Sequence, residues 1–397
     1  MEEFDIHHQK RTLDVKLRWL EKTKDVNPDD KKLILDFYRD STTRGMSKAR
    51  HLKYLLILPQ LSKMLAIGFK KASKEDVKNL VVKIEEKEFS EWYKKDFKIA
   101  LKMIFKWLNG GEEYPPEVKW IKAGFRNEKH KLPEDLLTED EVKRMAEVAG
   151  NPRDNAFIQL LYETGCRIGE LLTLRMKNVA FDEFGAILRV QGKTGDRRVR
   201  VLASSPALAA WLNLHPKHDS PEAPVWVSRA SKKQLLPFNY STANVLLRRL
   251  ARKAGVNKRV NPHIFRHSRA TALANKLTEA QMKEYFGWVQ SSEMASIYVH
   301  LSGRDVDSAL LALHGLAKPQ DKKEEFHAAI CPRCKENNAP ASKYCLRCGS
   351  PMQMQLITKI ENERKTGDNV MDKLMENPEF KEFIAKKMVE LNLAPAL

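Results

Sequence analysis

The sequence has no uninterrupted apolar run. Its most apolar stretch, LKYLLILPQLSKMLAIGF at 52–69, is broken by Lys53, Pro59, Gln60 and Lys63, so it cannot cross a bilayer as one apolar helix. Nor does the chain begin as a secretory protein does. MEEFDIHHQK is acidic, where a signal peptide carries positive charge. These two absences predict a cytoplasmic protein with no membrane partner. Cysteine is scarce, and four of the five lie between 331 and 348. That distribution argues against a disulfide framework and for reduced thiols gathered around a metal. No internal repeat and no long low-complexity run is present, which excludes a solenoid.

What is abundant is positive charge. The chain of 397 residues carries a net charge of +18. Residues 1–130 contribute +8, residues 131–316 another +8, and residues 317–397 only +2. A basic surface can serve solubility alone, but this excess favours a polyanion, because Lys and Arg neutralise phosphates and release counterions. The length predicts two or three domains.

The first part reads as helical. Apolar residues recur at helical spacing in LILDFY, KYLLILPQLSKML and DFKIALKMIFKWL, with Asn109-Gly110-Gly111 ending the last helix. Lys48 and Lys53 sit beside these stripes as candidate contacts to a phosphate backbone. A basic connector precedes a second, mixed region. There Thr138 and Glu141 form a capping-box pattern, and Asn151-Pro152 opens a helix, AFIQLLYET, that stops at Gly165. AILRVQ, GKTGD and RRVRVL read as strand, turn and strand, and VWVS (225–228) as a further short strand. NVLLRRLARKAG is a helix with a basic face, on which Arg248, Arg249 and Arg252 are further backbone-contact candidates. The fold expected is mainly α with a small β-sheet, an α+β arrangement.

Four separated pieces of this second region share one chemical character. Arg167 follows a helix-ending glycine, Lys193 sits in a hairpin turn, and His263 and Arg266 are one helical turn apart within NPHIFRHSRAT, which holds no acidic residue. Tyr298 lies some thirty residues on. Taken singly, each has a bland reading as a solvated or packed side chain. Together, two guanidinium groups, an ammonium, an imidazole and a phenol suit a phosphate diester better than an apolar core.

The pieces TGCRIGELLTLRMKNV, QGKTGDRRVRV, PHIFRHSRAT and FGWVQSSEMASIYVH, in that order, resemble the motifs of the tyrosine recombinases, the phage-integrase type of site-specific recombinase. The resemblance covers about residues 136–316, and residues 1–128 resemble the family's helical core-binding DNA domain. It implies a catalytic domain in which Tyr298 attacks a DNA phosphorus to form a 3′-phosphotyrosyl bond, with His263 assisting its deprotonation. Arg167 and Arg266 would hold the non-bridging oxygens, and Lys193 would protonate the departing 5′-oxygen. It also implies double-stranded DNA with a specific target site as partner, self-association as a dimer or tetramer on DNA, and no metal or ATP in the chemistry. Glu170 would orient Arg167. Trp288 stands where the family most often has histidine; its indole N–H can donate to a phosphate oxygen but cannot shuttle a proton, and simple packing is its other reading. Tyr285 is the rival nucleophile, while His267 and Arg269 read as structural or backbone-contacting. A type IB topoisomerase and a non-catalytic DNA-binding regulator on the same fold are the competing functions.

Cys331, Cys334, Cys345 and Cys348 form CxxC, ten residues, CxxC. Four thiolates at this spacing suit a structural, tetrahedral Zn²⁺, giving a four-cysteine zinc ribbon at 328–351. Cys166 stands apart as a small buried residue. In the tail, 352–397, Phe380, Phe383, Ile384, Met388 and Leu391 share one helical face, suited to packing on its own domain or on a neighbouring subunit. GRDVDSALLALHGL (303–316) is the nearer candidate for a helix passed between protomers.

Overall fold

The computed structural model describes residues 5–124, 135–192, 195–228, 236–301, 314, 326–340, 342–352 and 354–391. Lys193 therefore lies outside the described residues, as does GRDVDSALLALHGL apart from His314. The chain divides into two compact units, Met1–Lys131 and Leu132–Leu397. It is mainly helical, and the described residues form a three-stranded and a two-stranded antiparallel sheet. Among the described residues no helix is long and apolar enough to cross a membrane.

The first unit consists of α1 (Gln9–Lys22), α2 (Pro28–Thr43), α3 (Lys48–Leu65), α4 (Lys74–Glu86), α5 (Glu91–Leu108) and the short α6 (Pro116–Lys119). The stripes read from the sequence form its core, where Leu20, Leu58, Leu61, Phe97, Leu101 and Ile104 are fully buried together. The interruptions that bar α3 from a bilayer are absorbed by this packing. Pro59 sits inside the helix and is buried, so tertiary contacts outweigh the backbone hydrogen bond that proline forfeits. Asp30, also buried, accepts from Ser62 Oγ at 2.6 Å and from the Phe69 amide at 2.9 Å, tying α2 to α3 and to the chain that follows it.

The second unit is built around α8 (Pro152–Thr164), whose side chains are buried on nearly every side. Around it pack α7 (Glu139–Glu147), α10 (Ser205–Asn213) and α12 (Pro262–Ala274). Both ends of α8 carry the signals expected of them. The Asn151 side chain accepts from the Asp154 amide, Pro152 opens the helix, and Gly165 closes it with φ 52°. A side chain at Gly165 would also meet Phe286, with an added Cβ 2.5 Å from the ring.

Next come α9 (Ile168–Leu172) and the strands β1 (Val179–Asp182), β2 (Gly185–Gly192) and β3 (Gly195–Val201), paired antiparallel in that order. The hairpin of β2 and β3 closes with Gly192 opposite Gly195, and β1 is a strand the sequence pattern did not predict. VWVS, by contrast, is no strand. Val225, Trp226 and Val227 are buried, but only isolated bridges form, Arg175 with Pro224 and Val227 with Pro237. Proline offers no N–H, so neither bridge extends into a ladder.

The remaining helices are α11 (Tyr240–Lys253), α13 (Glu279–Phe286) and α14 (Met294–Leu301). Beyond them a short β4 (Ala329–Ile330) pairs with β5 (Asn337–Asn338) across the cysteine cluster. This small module packs on the helices of its unit, Phe326 meeting Tyr162 edge-to-face at 5.2 Å. The chain ends in α15 (Met354–Glu376) and α16 (Pro378–Glu390). Among the described residues of its own unit nothing buries the apolar stripe of the tail: Phe383, Met388 and Leu391 are exposed.

A single buried carboxylate pins the end of the sheet to α8. Glu163 accepts the backbone amides of Leu202, Ala203 and Ser204 at 2.7, 2.9 and 2.7 Å. Substituting Glu163→Gln turns an amide donor toward one of those N–H groups and removes the charge. We expect a loss of about 2–3 kcal/mol in urea unfolding, the range for buried hydrogen bonds to a charged group. Unchanged stability would contradict this anchoring role.

Candidate active site

The helix ends and turns of the second unit converge on a cationic cluster. Arg167 caps α9: its backbone N–H and its Nη1 both donate to Glu170, at 2.9 and 3.0 Å, and its Nη2 donates to the carbonyl of Gly287 at 3.0 Å. Arg266, in the middle of α12, is 7% exposed and donates to the carbonyls of Gly165 and Phe286 at 2.9 and 2.7 Å. Both arginines thus brace the chain just after α13, and a guanidinium has five N–H donors, so each keeps donors for a phosphate. Burial, reinforced by the nearby charge of Arg167, lowers the pKa of Arg266 to about 10. It remains a cation at neutral pH.

Tyr298, on α14, is 3% exposed and seated in a small apolar cluster with Ala270, Met282, Phe286 and Ala295. Its ring stacks on Trp288 at 5.5 Å with the planes 3° apart, and Trp288 stacks in turn on Phe286 at 4.9 Å. Arg266 lies over Trp288 at 5.4 Å. Trp288 is therefore the wall that sets the plane of the phenol. Burial raises the pKa of Tyr298 to about 12 against the pull of Arg266, so the phenol is protonated at neutral pH.

The hydroxyl of Tyr298 meets Nδ1 of His267. His263, one turn earlier, is exposed at the start of α12. The family resemblance pairs the tyrosine with His263 and leaves His267 as structural or backbone-contacting. α14 packs against α12, and His267 is the α12 residue that meets the Tyr298 hydroxyl.

Residues 135–304 match the phage integrase family. Over that segment the chain is similar to the phage integrase family. It resembles tyrosine recombinase XerA of Pyrococcus horikoshii, 32% identical over 185 residues, 45% of this chain and 62% of that protein. XerA of Pyrococcus furiosus is 29% identical over 257 residues, 63% of this chain and 84% of that protein. The first of these alignments thus spans less than two thirds of its relative's length. Among solved structures, XerH bound to a palindromic difH substrate in a post-cleavage complex aligns with TM-score 0.56 at 18% identity, over 78% of this chain and 96% of that one. A lambda integrase dimer bound to a COC′ core site aligns with TM-score 0.54 at 15% identity, over 69% and 78%. At these identities the likeness is one of fold.

The rival tyrosine is otherwise engaged. The Tyr285 hydroxyl donates to the Glu163 carbonyl at 2.7 Å, and burial raises its pKa beyond that of a free phenol. Arg269 is likewise spent on structure: its Nε donates to the same carbonyl at 3.0 Å and its guanidinium lies over Tyr162. Of the backbone-contact candidates, Lys48, Arg248 and Arg252 are exposed. Lys53 is held by Asp96 at 2.7 Å, and Arg249 by the buried Asp154 at 3.2 Å. Those two therefore carry structural pairs as well as charge.

The sequence reading missed Arg197. It lies on β3, 11% exposed at the side chain, and grips both oxygens of Glu170 at 2.7 and 2.8 Å. It also donates to the carbonyl of Tyr285 at 3.1 Å and approaches Cys166 Sγ at 3.5 Å. Two glycines make room for this link. A Cβ on Gly192 would come within 2.4 Å of Glu170, and one on Gly287 within 2.8 Å of Arg197. The signal was present in the period of the strand, because Arg197 alternates onto the inward face with Val199 and Val201. Burial works to raise the pKa of Glu170, but hydrogen bonds and charge from Arg197, with further bonds from Arg167, hold it below 4.5.

Four cysteine sulfurs cluster within 4.8 Å of one another. Cys331 lies 3.7 Å from Cys348 and Cys334 3.5 Å from Cys345. Bonds of about 2.3 Å at tetrahedral angles would set sulfurs roughly 3.8 Å apart, so the four fit one metal ion.

Arg197→Ala breaks a buried ion pair and should cost about 3–5 kcal/mol of stability at neutral pH. A depressed carboxyl stabilises above its unfolded pKa, and that contribution is lost as pH falls through the folded value. Urea titrations should therefore show wild type and variant converging below pH 4.5. A gap that is constant with pH would refute the coupling.

Proposed function

We propose that this chain is a site-specific DNA recombinase that cuts and rejoins duplex DNA through a 3′-phosphotyrosyl bond at Tyr298. The observation that carries the reading is the placement of one protonated phenol beside Arg266, in a domain similar to the phage integrase family whose cited relatives are tyrosine recombinases. Those relatives favour exchange between sites over supercoil relaxation.

The chemistry follows from the groups present. Arg167 and Arg266 would take the two non-bridging oxygens, whose charge grows in the pentavalent transition state. Trp288 would hold the phenol in line and offer its indole N–H to the phosphate. Lys193, by the family resemblance, would give a proton to the departing 5′-oxygen. The phosphotyrosyl bond conserves the energy of the broken diester, so the reaction needs no ATP. Residues 1–128 would bind DNA, with Lys48 on its phosphates, and Arg252 of the second unit would contact phosphates as well. The active form would be a dimer or tetramer on DNA, acting in the cytoplasm.

The four cysteines would hold a structural Zn²⁺ at 328–351. Its chemistry there is charge neutralisation and cross-linking of two short loops; an all-thiolate set leaves no open position for catalysis.

The deciding experiment is covalent capture. Protein is incubated with a pool of randomised duplexes carrying a nick, so that a cleaved end diffuses away and the adduct persists. Wild type should leave an SDS-resistant adduct on a recoverable subset of sequences, and Tyr298→Phe none. An adduct that survives Tyr298→Phe, or none from wild type, would overturn the assignment. Separately, atomic emission should find about one zinc per chain, lost in a Cys331→Ala, Cys348→Ala double variant. Retention of zinc by that variant would refute the site.

A further inference from the structure

We propose that Arg197 is a positioning residue for strand cleavage, one that sets Arg167 in place without touching DNA. The inference rests on the function proposed above and supplies the side chain that holds one of its phosphate-binding arginines.

Three observations converge on it. First, the end of α13 gathers three arginines. The amides of Gly287 and Trp288 close back on the carbonyls of Glu284 and Lys283. The next three carbonyls have no partner within the helix, and each goes to a different arginine: Tyr285 to Arg197 at 3.1 Å, Phe286 to Arg266 at 2.7 Å and Gly287 to Arg167 at 3.0 Å. The negative end of the helix favours all three cations. Second, Arg197 has little left to give. Of the five N–H donors of a guanidinium, one on Nε, one on Nη1 and two on Nη2 go to Tyr285, Glu170 and Cys166. Its side chain is 11% exposed, against 33% for Arg167, whose guanidinium donates to Glu170 and Gly287 alone among the described residues. Arg167 can thus reach a phosphate, and Arg197 cannot. Third, the two share one carboxylate. Glu170 Oε1 accepts Nη1 of Arg167 at 3.0 Å and Nη1 of Arg197 at 2.7 Å, while Oε2 accepts the Arg167 amide at 2.9 Å and Nη2 of Arg197 at 2.8 Å.

The consequence for the reaction follows from the shared charge. Arg197 grips both oxygens of Glu170 in one plane and so satisfies most of its charge. Without that grip the buried carboxylate would turn wholly to Arg167, the other side chain bonded to it, because a buried charge left unpaired is costly. Arg167 would be drawn toward Glu170 and bring less positive charge to the non-bridging oxygen, where charge grows in the transition state. A lysine at this position keeps the charge but not the fork. One ammonium cannot hold two carboxylate oxygens in plane and the Tyr285 carbonyl as well.

The test uses the full chain and a nicked duplex recovered from the capture pool, with protein in excess and below the thermal midpoint of every variant. Arg197→Lys should slow single-turnover adduct formation by about a hundredfold, the scale of a small misplacement at a reacting centre, with DNA affinity near wild type. Arg197→Gln, which leaves the whole charge of Glu170 to Arg167, should lose at least as much. Two readouts separate positioning from a loss of structure. In an Arg167→Ala background, Arg197→Lys should cost less than about threefold more, because residues that act as one unit are not additive. A methylphosphonate at the scissile position should divide by stereoisomer. Where the neutral methyl replaces the oxygen answered by Arg167, wild type and Arg197→Lys should react at similar rates; the other isomer should keep the gap. The inference falls if folded Arg197→Lys cleaves at the wild-type rate, if its loss is undiminished without Arg167, or if both stereoisomers keep the full gap. Failure of the wild type to form any adduct would instead sink the recombinase reading.

Discussion

Glu170 puts one negative charge among guanidinium groups that would otherwise drive each other apart. It is nearly sealed from solvent, and two arginines from different elements share it: Arg167 at the start of its own helix and Arg197 from the strand opposite. A buried charge left unpaired is costly, and so is one paired with imperfect geometry. The bidentate grip of Arg197 supplies the geometry. Through Arg197 the carboxylate also reaches the carbonyl of Tyr285, and through Arg167 that of Gly287. The turn that carries Trp288 is thereby fixed from both sides.

The position of the phenol follows from that turn. Trp288 and Phe286 form a stacked pair, Tyr298 lies against Trp288, and Arg266 binds the backbone of Phe286 while lying over both rings. The tyrosine is thus held by the same residues that hold the cations. Burial keeps the phenol protonated at neutral pH.

Much of this was legible in the chain. Helix ends were marked by local chemistry, as at Thr138 with Glu141, Asn151 with Pro152, and Gly165, because caps and left-handed glycines act over three or four residues. The cysteine spacing was equally local. What failed were inferences needing a partner. VWVS has the composition of a strand, yet the chain beside it is proline and cannot extend a ladder. The stripe on the last helix has the pattern of a packed face, yet among the described residues of its own unit nothing covers Phe383 or Leu391.

The sequence by itself determined the order of the helices, the hairpin, the residue types at the cationic cluster and the thiolate set, since each follows from periodicity, capping or spacing over a few residues. Tertiary structure alone decided which imidazole meets the Tyr298 hydroxyl, and that Arg197 rather than solvent satisfies Glu170. Those pairings join residues 31 and 27 positions apart. They depend on how α14 settles along α12 and on which face of β3 turns inward, geometry that side-chain burial sets and local propensity does not encode.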